Sequence, residues 1–214
     1  MAKPAGRPDT VLSKVAALYT AGLSEHGATA RAIGWRDDET RILRYRYLAN
    51  VLGGDRGPMS VIDWGCGYGG LFTYLVNDVG ADVSRYDGYD LSAEMLTAAA
   101  GALPADRTRL IQSDAITAGS EVDYSFVSGT FNVRYDASDE QWLAYVQATL
   151  ADLWQHSRKG LAFNLLSTYV DWREPHLYYG DPGAFFDFCK RTMSRRVSLF
   201  HEYPLYEWTI VVMR

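Results

Sequence analysis

At 214 residues, 48% hydrophobic and 22% charged, the chain has an ordinary globular composition and a length that suits one domain. Its net charge of −5 and pI near 5.3 argue against a general nucleic-acid binder, which usually carries a basic footprint. No run approaches the roughly 18 apolar residues of a membrane span, and Met1 to Thr10 has no apolar signal-peptide region, so no membrane partner and a reducing cytoplasm are expected.

Asp9 to Leu23 reads as a helix, with Val11, Leu12, Val15, Leu18 and Tyr19 on one apolar stripe. Residues 24–30 break it. A second helix is expected from Asp37-Asp38 to just before Gly53-Gly54, with Ile42, Leu43, Tyr47 and Leu48 inward and Arg41, Arg44 and Arg46 on a solvated face. Cys66 and Cys189 lie far apart and neither belongs to a C-x-x-C pair. No disulfide framework or metal site is expected.

The most informative stretch is Val61-Ile62-Asp63-Trp64-Gly65-Cys66-Gly67-Tyr68-Gly69-Gly70. Apolar β-formers run into alternate glycines and then into the helical Leu71–Val76. A strand that ends so brings backbone N–H groups and a helix N-terminus close to a ligand, with no Cβ in the way. Gly65, Gly67 and Gly70 fit the dinucleotide fingerprint G-x-G-x-x-G, a weak signal alone. Asp63-x-Gly65-x-Gly67-x-Gly69, with an acid two residues before the first glycine, resembles motif I of class I S-adenosylmethionine (SAM) methyltransferases.

Downstream, strand and helix alternate. A helix over 70–79 precedes a strand over 84–90, a helix capped by Ser92, a strand over 109–113 and a strand over 122–128. Ser138-Asp139-Glu140 then caps a strong helix with Trp142, Val146, Leu150, Leu153 and Trp154 at helical period, and a doubly buried strand follows over 160–166. Such alternation means a parallel sheet with helices on both sides. The runs 196–203 and 206–213 read as a hairpin around Pro204-Leu205. A nicotinamide-binding domain normally lacks this ending, whereas the class I methyltransferase fold has it. The resemblance thus implies an α/β Rossmann-like seven-stranded sheet of order 3-2-1-4-5-7-6 with an antiparallel C-terminal hairpin. Residues 1–57 would form a helical cap and residues 58–214 the SAM-binding core of a single domain.

The resemblance also implies roles, residue by residue. Asp63 would stand near the methionine moiety, and Gly65, Cys66, Gly67 and Gly69 would make room for the sulfonium end. Asp90, in Gly88-Tyr89-Asp90-Leu91-Ser92-x-x-Met95-Leu96, would accept both ribose hydroxyls, although NAD would use such an acid too. Leu91 would lie on the adenine ring with Met95 in the same segment. Asp114 would take the adenine amino group and the Ala115 N–H a ring nitrogen. Ser128 and Gly129 lie where the family keeps residues nearest the transferred methyl. The segment Ser128-Gly129-Thr130-Phe131-Asn132 lacks the Asn/Asp-Pro-Pro-Tyr/Phe of nucleobase and glutamine methyltransferases, which favours a small-molecule acceptor.

Tyr19-Thr20-x-x-Leu23-x-x-His26-Gly27-Ala28-Thr29, with Trp35 and the following helix, resembles the N-terminal caps of bacterial small-molecule methyltransferases. Tyr19, His26 and Trp35 are therefore candidate contacts. Residues 167–180 form a long, aromatic loop at the carboxyl edge of the sheet, where function usually sits. The acceptor is expected among Trp35, Phe131, Tyr169, Tyr178 and Tyr179, with His26, Arg134, Asp171 and His176 as candidate catalytic groups. The expected activity is methyl transfer to an O or N of a metabolite; an NAD(P)-dependent oxidoreductase and a non-catalytic SAM-binding protein are the alternatives.

Overall fold

The computed structural model describes residues 9–117, 119 and 121–214. Helix α1 (Asp9–His26) buries Val11, Leu12 and Val15, as its periodicity requires, but Leu18 is 42% exposed because the buried stripe continues through Tyr19. A 3-10 turn (Ala30–Ile33) closes on Gly34 and leads to helix α2 (Asp38–Leu48). The Asp37 carboxylate caps α2 by accepting the Thr40 N–H at 2.9 Å. The inward face of α2 is the predicted one only at Leu48, which is fully buried. Arg44 and Tyr45 are buried, whereas Ile42, Leu43 and Tyr47 are only half-buried. A charged side chain turns inward here because Glu207 neutralises it through a two-pronged ion pair of 2.7–3.0 Å.

After a second 3-10 turn (Ala49–Leu52) the chain alternates as expected: β1 (Met59–Trp64), α3 (Gly70–Asn77), β2 (Val83–Asp90), α4 (Ala93–Ala102), β3 (Thr108–Gln112), β4 (Val122–Val127), α5 (Asp139–His156) and β5 (Ser157–Ser167). Next come the two-residue β6 (Tyr179–Gly180), α6 (Pro182–Thr192), and the antiparallel pair β7 (Arg196–Phe200) and β8 (Glu207–Met213). The sheet runs β3-β2-β1-β4-β5-β8-β7, with β6 paired to the end of β5. With β6 set aside, this is the expected order. The first five strands are parallel, and β8 enters antiparallel between β5 and β7. Among the described residues no helix is long and apolar enough to cross a membrane.

Successive strand residues face opposite sides. Ile62, Leu161, Phe163 and Leu165 therefore join one core with Trp142, Val146 and Leu150 of α5, Phe185 of α6 and the buried stripe of α1. Val61, Tyr86, Phe126 and Ala162 join the other with Leu48, Leu71, Leu75 and Ala99. The cap helices are thus cemented to the sheet from both sides. Because β1 pairs with both β2 and β4, the chain reverses direction across the sheet at its carboxyl edge, and open α/β sheets bind ligands at that switch point.

Candidate active site

A cleft opens at that edge, with an empty volume of about 940 Å³ that includes some open solvent. Asp63, Trp64, Gly65, Cys66 and Gly67 at the end of β1 form its floor, with Asp90, Leu91 and Met95 after β2, Ser113 and Asp114 after β3, and Ser128, Gly129 and Thr130 after β4. The cap supplies Leu12, Val15, Ala16 and Tyr19 from α1, then Ile33, Trp35 and Tyr45; Trp142 and Tyr145 of α5 complete it.

The glycine loop holds its own backbone. The N–H groups of Gly65 and Cys66 both donate to the Tyr89 carbonyl, at 2.8 and 2.9 Å, that of Gly67 to Asp90, and that of Gly69 to the Cys66 carbonyl. The loop therefore does not offer a row of free N–H groups, contrary to the sequence reading. What it offers is space. At Gly65 (φ +79°) a Cβ would lie 2.2 Å from the Thr130 hydroxyl. At Gly67 (φ +53°) it would meet only Ile33, at 3.6 Å.

Asp63 is 2% exposed and accepts the Tyr86 hydroxyl at 2.6 Å. Burial pushes its carboxyl up to about 7; the Tyr86 bond opposes the shift and the nearby Asp90 charge adds to it. Asp90 is likewise raised by burial, against the pull of backbone donors. Its two oxygens accept the Ser92 and Gly67 N–H groups, each at 2.9 Å, which ties the glycine loop to the N-terminus of α4. A carboxylate has about four lone-pair sites, so the backbone donors Ser92, Gly67 and Leu91 leave room for a ligand hydroxyl. Burial, with the Asp90 charge second, also raises the Tyr19 hydroxyl, which stays protonated and can donate.

The residues fit a SAM molecule. Among the described residues the charged groups lining the cleft are three carboxylates, Asp63, Asp90 and Asp114, with no Lys, Arg or His, a set suited to a sulfonium cation and ribose hydroxyls. The buried Ser128 Oγ, also in the lining, has no hydrogen-bond partner among the described residues. Such an atom is satisfied only by a ligand or solvent.

Of the expected cofactor and cap residues, Tyr19, Trp35, Asp63, Gly65, Cys66, Gly67, Asp90, Leu91, Met95, Asp114, Ser128 and Gly129 all line the cleft. Gly69 does not: at φ +85° it caps α3, and its Cβ direction points into Leu103. The Ala115 N–H meets the Ser113 hydroxyl at 3.0 Å.

Trp35 apart, the expected acceptor and catalytic residues are not in the cleft lining. His26 sits at the end of α1, 3.7 Å from Glu25. Arg134 is 3.0 Å from Asp139 and donates to the Ala137 carbonyl. The exposed His176 gives its carbonyl to the N–H groups of Arg134 and Tyr135. Phe131 is fully buried, and its carbonyl accepts the Trp142 indole N–H at 2.8 Å. Tyr178 is buried with its N–H on the Asn132 carbonyl, and the Tyr179 hydroxyl accepts the Glu174 N–H. Asp171 accepts the Tyr206 hydroxyl, Trp172 packs on Tyr206 at 5.9 Å, and Tyr169, 70% exposed, stands 5.6 Å from His201. The aromatic loop is thus docked on the C-terminal hairpin and does not roof the cleft.

Sequence reading had missed Leu12, Val15, Ala16, Trp142 and Tyr145 as cleft residues. Their helical stripes were visible, but an apolar stripe looks the same whether it meets a core or a ligand.

No protein-family model matches the chain. It is 44% identical over 163 residues to the protein named "Putative methyltransferase Rv1506c" of Mycobacterium tuberculosis (strain ATCC 25618 / H37Rv), covering 73% of this chain and 94% of that one. Its fold resembles the magnesium protoporphyrin IX methyltransferase of Synechocystis PCC 6803 solved with S-adenosylhomocysteine (SAH), with TM-score 0.63, 14% identity and 96% of each chain covered. It also resembles a SAM-dependent methyltransferase of Leishmania major, with TM-score 0.68 and 13% identity over 100% of this chain and 87% of that one. The glycine loop, the carboxylates at three strand ends, the reversed last strand and a relative at this level of identity agree, and the chain belongs to the class I SAM-dependent methyltransferases.

Proposed function

We propose that the enzyme methylates an oxygen or nitrogen of a small, uncharged metabolite bound under α1 between Tyr19 and the Trp142–Tyr145 face of α5. The observation that carries this reading is the cleft wall. Beyond the three carboxylates and the hydroxyls of Ser113, Ser128 and Thr130 it is mainly apolar or aromatic, and no Lys, Arg or His lines it among the described residues. The cations around it each have a carboxylate partner: Arg44 pairs with Glu207 behind Trp35, Arg41 with Asp38 behind Tyr45, Arg134 with Asp139 and Lys14 with Asp136. A polyanion or a carboxylate-bearing acceptor would be desolvated beside like charges with nothing to pair with. The same inventory counts against nucleic acid.

Within this reading Asp114, Asp90 and Asp63 hold the adenine, ribose and methionine ends of the cofactor in strand order β3, β2, β1, and the acceptor lies toward β4 and α5. Bound SAM supplies an activated methyl on a cationic sulfur. The protein's part is to place the acceptor lone pair in line with that carbon and to exclude water. In such a transfer the cofactor would keep the electron pair of its S–CH3 bond, and the proton shed by the acceptor would leave to solvent. The cleft tyrosines Tyr19 and Tyr45, raised by burial, orient the acceptor as hydrogen-bond donors and do not act as bases.

The test is incubation of the enzyme with methyl-labelled SAM and a metabolite extract, followed by mass spectrometry of whatever gains the label. Label on an uncharged small molecule supports the proposal. Label confined to nucleic acid or protein, or to anionic metabolites, overturns it.

A further inference from the structure

We infer that Arg44, Glu207 and Asn164 form one positioning unit that sets the cleft wall after β4, a role that rests on the cleft being the cofactor site. None of the three lines the cleft. They come from α2, the first residue of β8 and the middle of β5, so the unit ties the cap to the sheet through elements distant in sequence.

The guanidinium of Arg44 donates Nε and Nη2 to the Glu207 carboxylate at 2.7–3.0 Å and Nη1 to the Thr40 carbonyl at 3.0 Å. Glu207 accepts a further bond from Asn164 Nδ2 at 2.8 Å. That bond fixes which end of the Asn164 amide faces the carboxylate. The other end, Oδ1, therefore faces the Gly129 N–H and accepts it at 2.7 Å. Asn164 is fully buried and Glu207 is 2% exposed, so water does not substitute for either link.

The same guanidinium lies 4.8 Å over the Trp35 ring. A Cβ at Gly129 would stand 3.3 Å from Trp35 Nε1. Arg44 thus packs on Trp35, which borders Gly129, while Asn164 holds the Gly129 backbone at φ +68°. Both ends of the relay, Trp35 and Gly129, do line the cleft. A requirement for stability alone does not explain such a unit, because buried ion pairs are often replaced by apolar side chains without loss. Directional bonds that terminate on two cleft residues do explain it.

Three variants separate positioning from stability: Asn164→Leu, Arg44→Lys, and the double replacement Arg44→Met with Glu207→Leu, which leaves no unpaired charge. Each is measured for SAH affinity by calorimetry well below its melting temperature, and for folding by circular dichroism. Lys14→Met, which breaks the exposed pair with Asp136, is the control. The expected result is a loss of SAH affinity of about tenfold or more in all three, the double variant included even if it melts as high as the wild type, with no change in the control. Variants that melt earlier but bind SAH as the wild type does would make the unit merely structural and overturn the inference. Failure of the wild type itself to bind SAH would instead overturn the cofactor reading.

Discussion

Replacing Asp90 with Ala tests how the cofactor cradle is held. Its carboxylate accepts the Gly67 and Ser92 N–H groups, each at 2.9 Å, and so fixes the glycine loop against α4. Bonds to a charged group are worth about 1.5–3 kcal/mol, so loss of the ribose acceptor should weaken SAH binding by about 10- to 150-fold. Folding should suffer too, because two N–H groups lose their acceptor at about 1–3 kcal/mol each, about 2–6 kcal/mol together. That lies below most of the roughly 5–15 kcal/mol range of typical domains, so the variant should fold and melt clearly lower. Calorimetric titration with SAH at 25 °C gives the affinity, and a thermal melt gives the stability. Asp90→Asn keeps one acceptor oxygen and should lie between wild type and Ala in both. An Ala variant that binds SAH within twofold of the wild type would refute the assignment of Asp90 to the cofactor.

Gly67→Val should be harsher still, abolishing measurable SAH binding, since Val disfavours φ +53° and its side chain enters the space toward Ile33; retained binding seen by calorimetry would count against the cradle. Asp63 adds a pH dependence. Its folded carboxyl, raised from 3.8 to about 7, holds a proton that the unfolded chain has lost between those values. This group's favourable contribution to the ligand-free fold is therefore lost as pH rises from about 4 to 7 and is flat above. A sulfonium cation prefers the ionised form, so affinity for SAM relative to SAH should rise between about pH 6 and 8 and flatten in Asp63→Asn; a ratio independent of pH in the wild type would argue that Asp63 does not face the sulfur. Arg134→Met should leave SAH affinity and label transfer near wild type, because the guanidinium is engaged with Asp139 and Ala137 outside the cleft; a large drop in label transfer would return it to the site.

The parts of the fold legible in the sequence were those written in short-range pattern. The turn after β1, the caps Asp37, Ser92 and Ser138, and the period-2 strands each depend on residues a few positions apart. The acids Asp63, Asp90 and Asp114 were legible because each lies within two residues of the end of a strand at a parallel sheet's carboxyl edge. What stayed hidden was long-range pairing. Arg44 looked like a surface residue because its partner Glu207 is 163 positions away. The loop over 167–180 was expected to hold the acceptor because its aromatic contacts, Tyr206 and His201, belong to the hairpin region, and nothing local showed that they would draw it aside. The cleft wall of Leu12, Val15, Trp142 and Tyr145 escaped for a third reason. Apolar helix faces become a pocket only where two elements fail to close on each other, which is a property of packing.

The most direct measurement of the central claim is a crystal structure of the protein with SAH. The account requires SAH in the cleft at the switch point, with Asp114 at the adenine, Asp90 on the ribose hydroxyls and its homocysteine end over Gly65–Gly67 beside Asp63. It also requires the remaining space to be walled by Tyr19, Trp142 and Tyr145. SAH bound at another place, or in this cleft with its adenine toward β4 and its ribose away from Asp90, would contradict it.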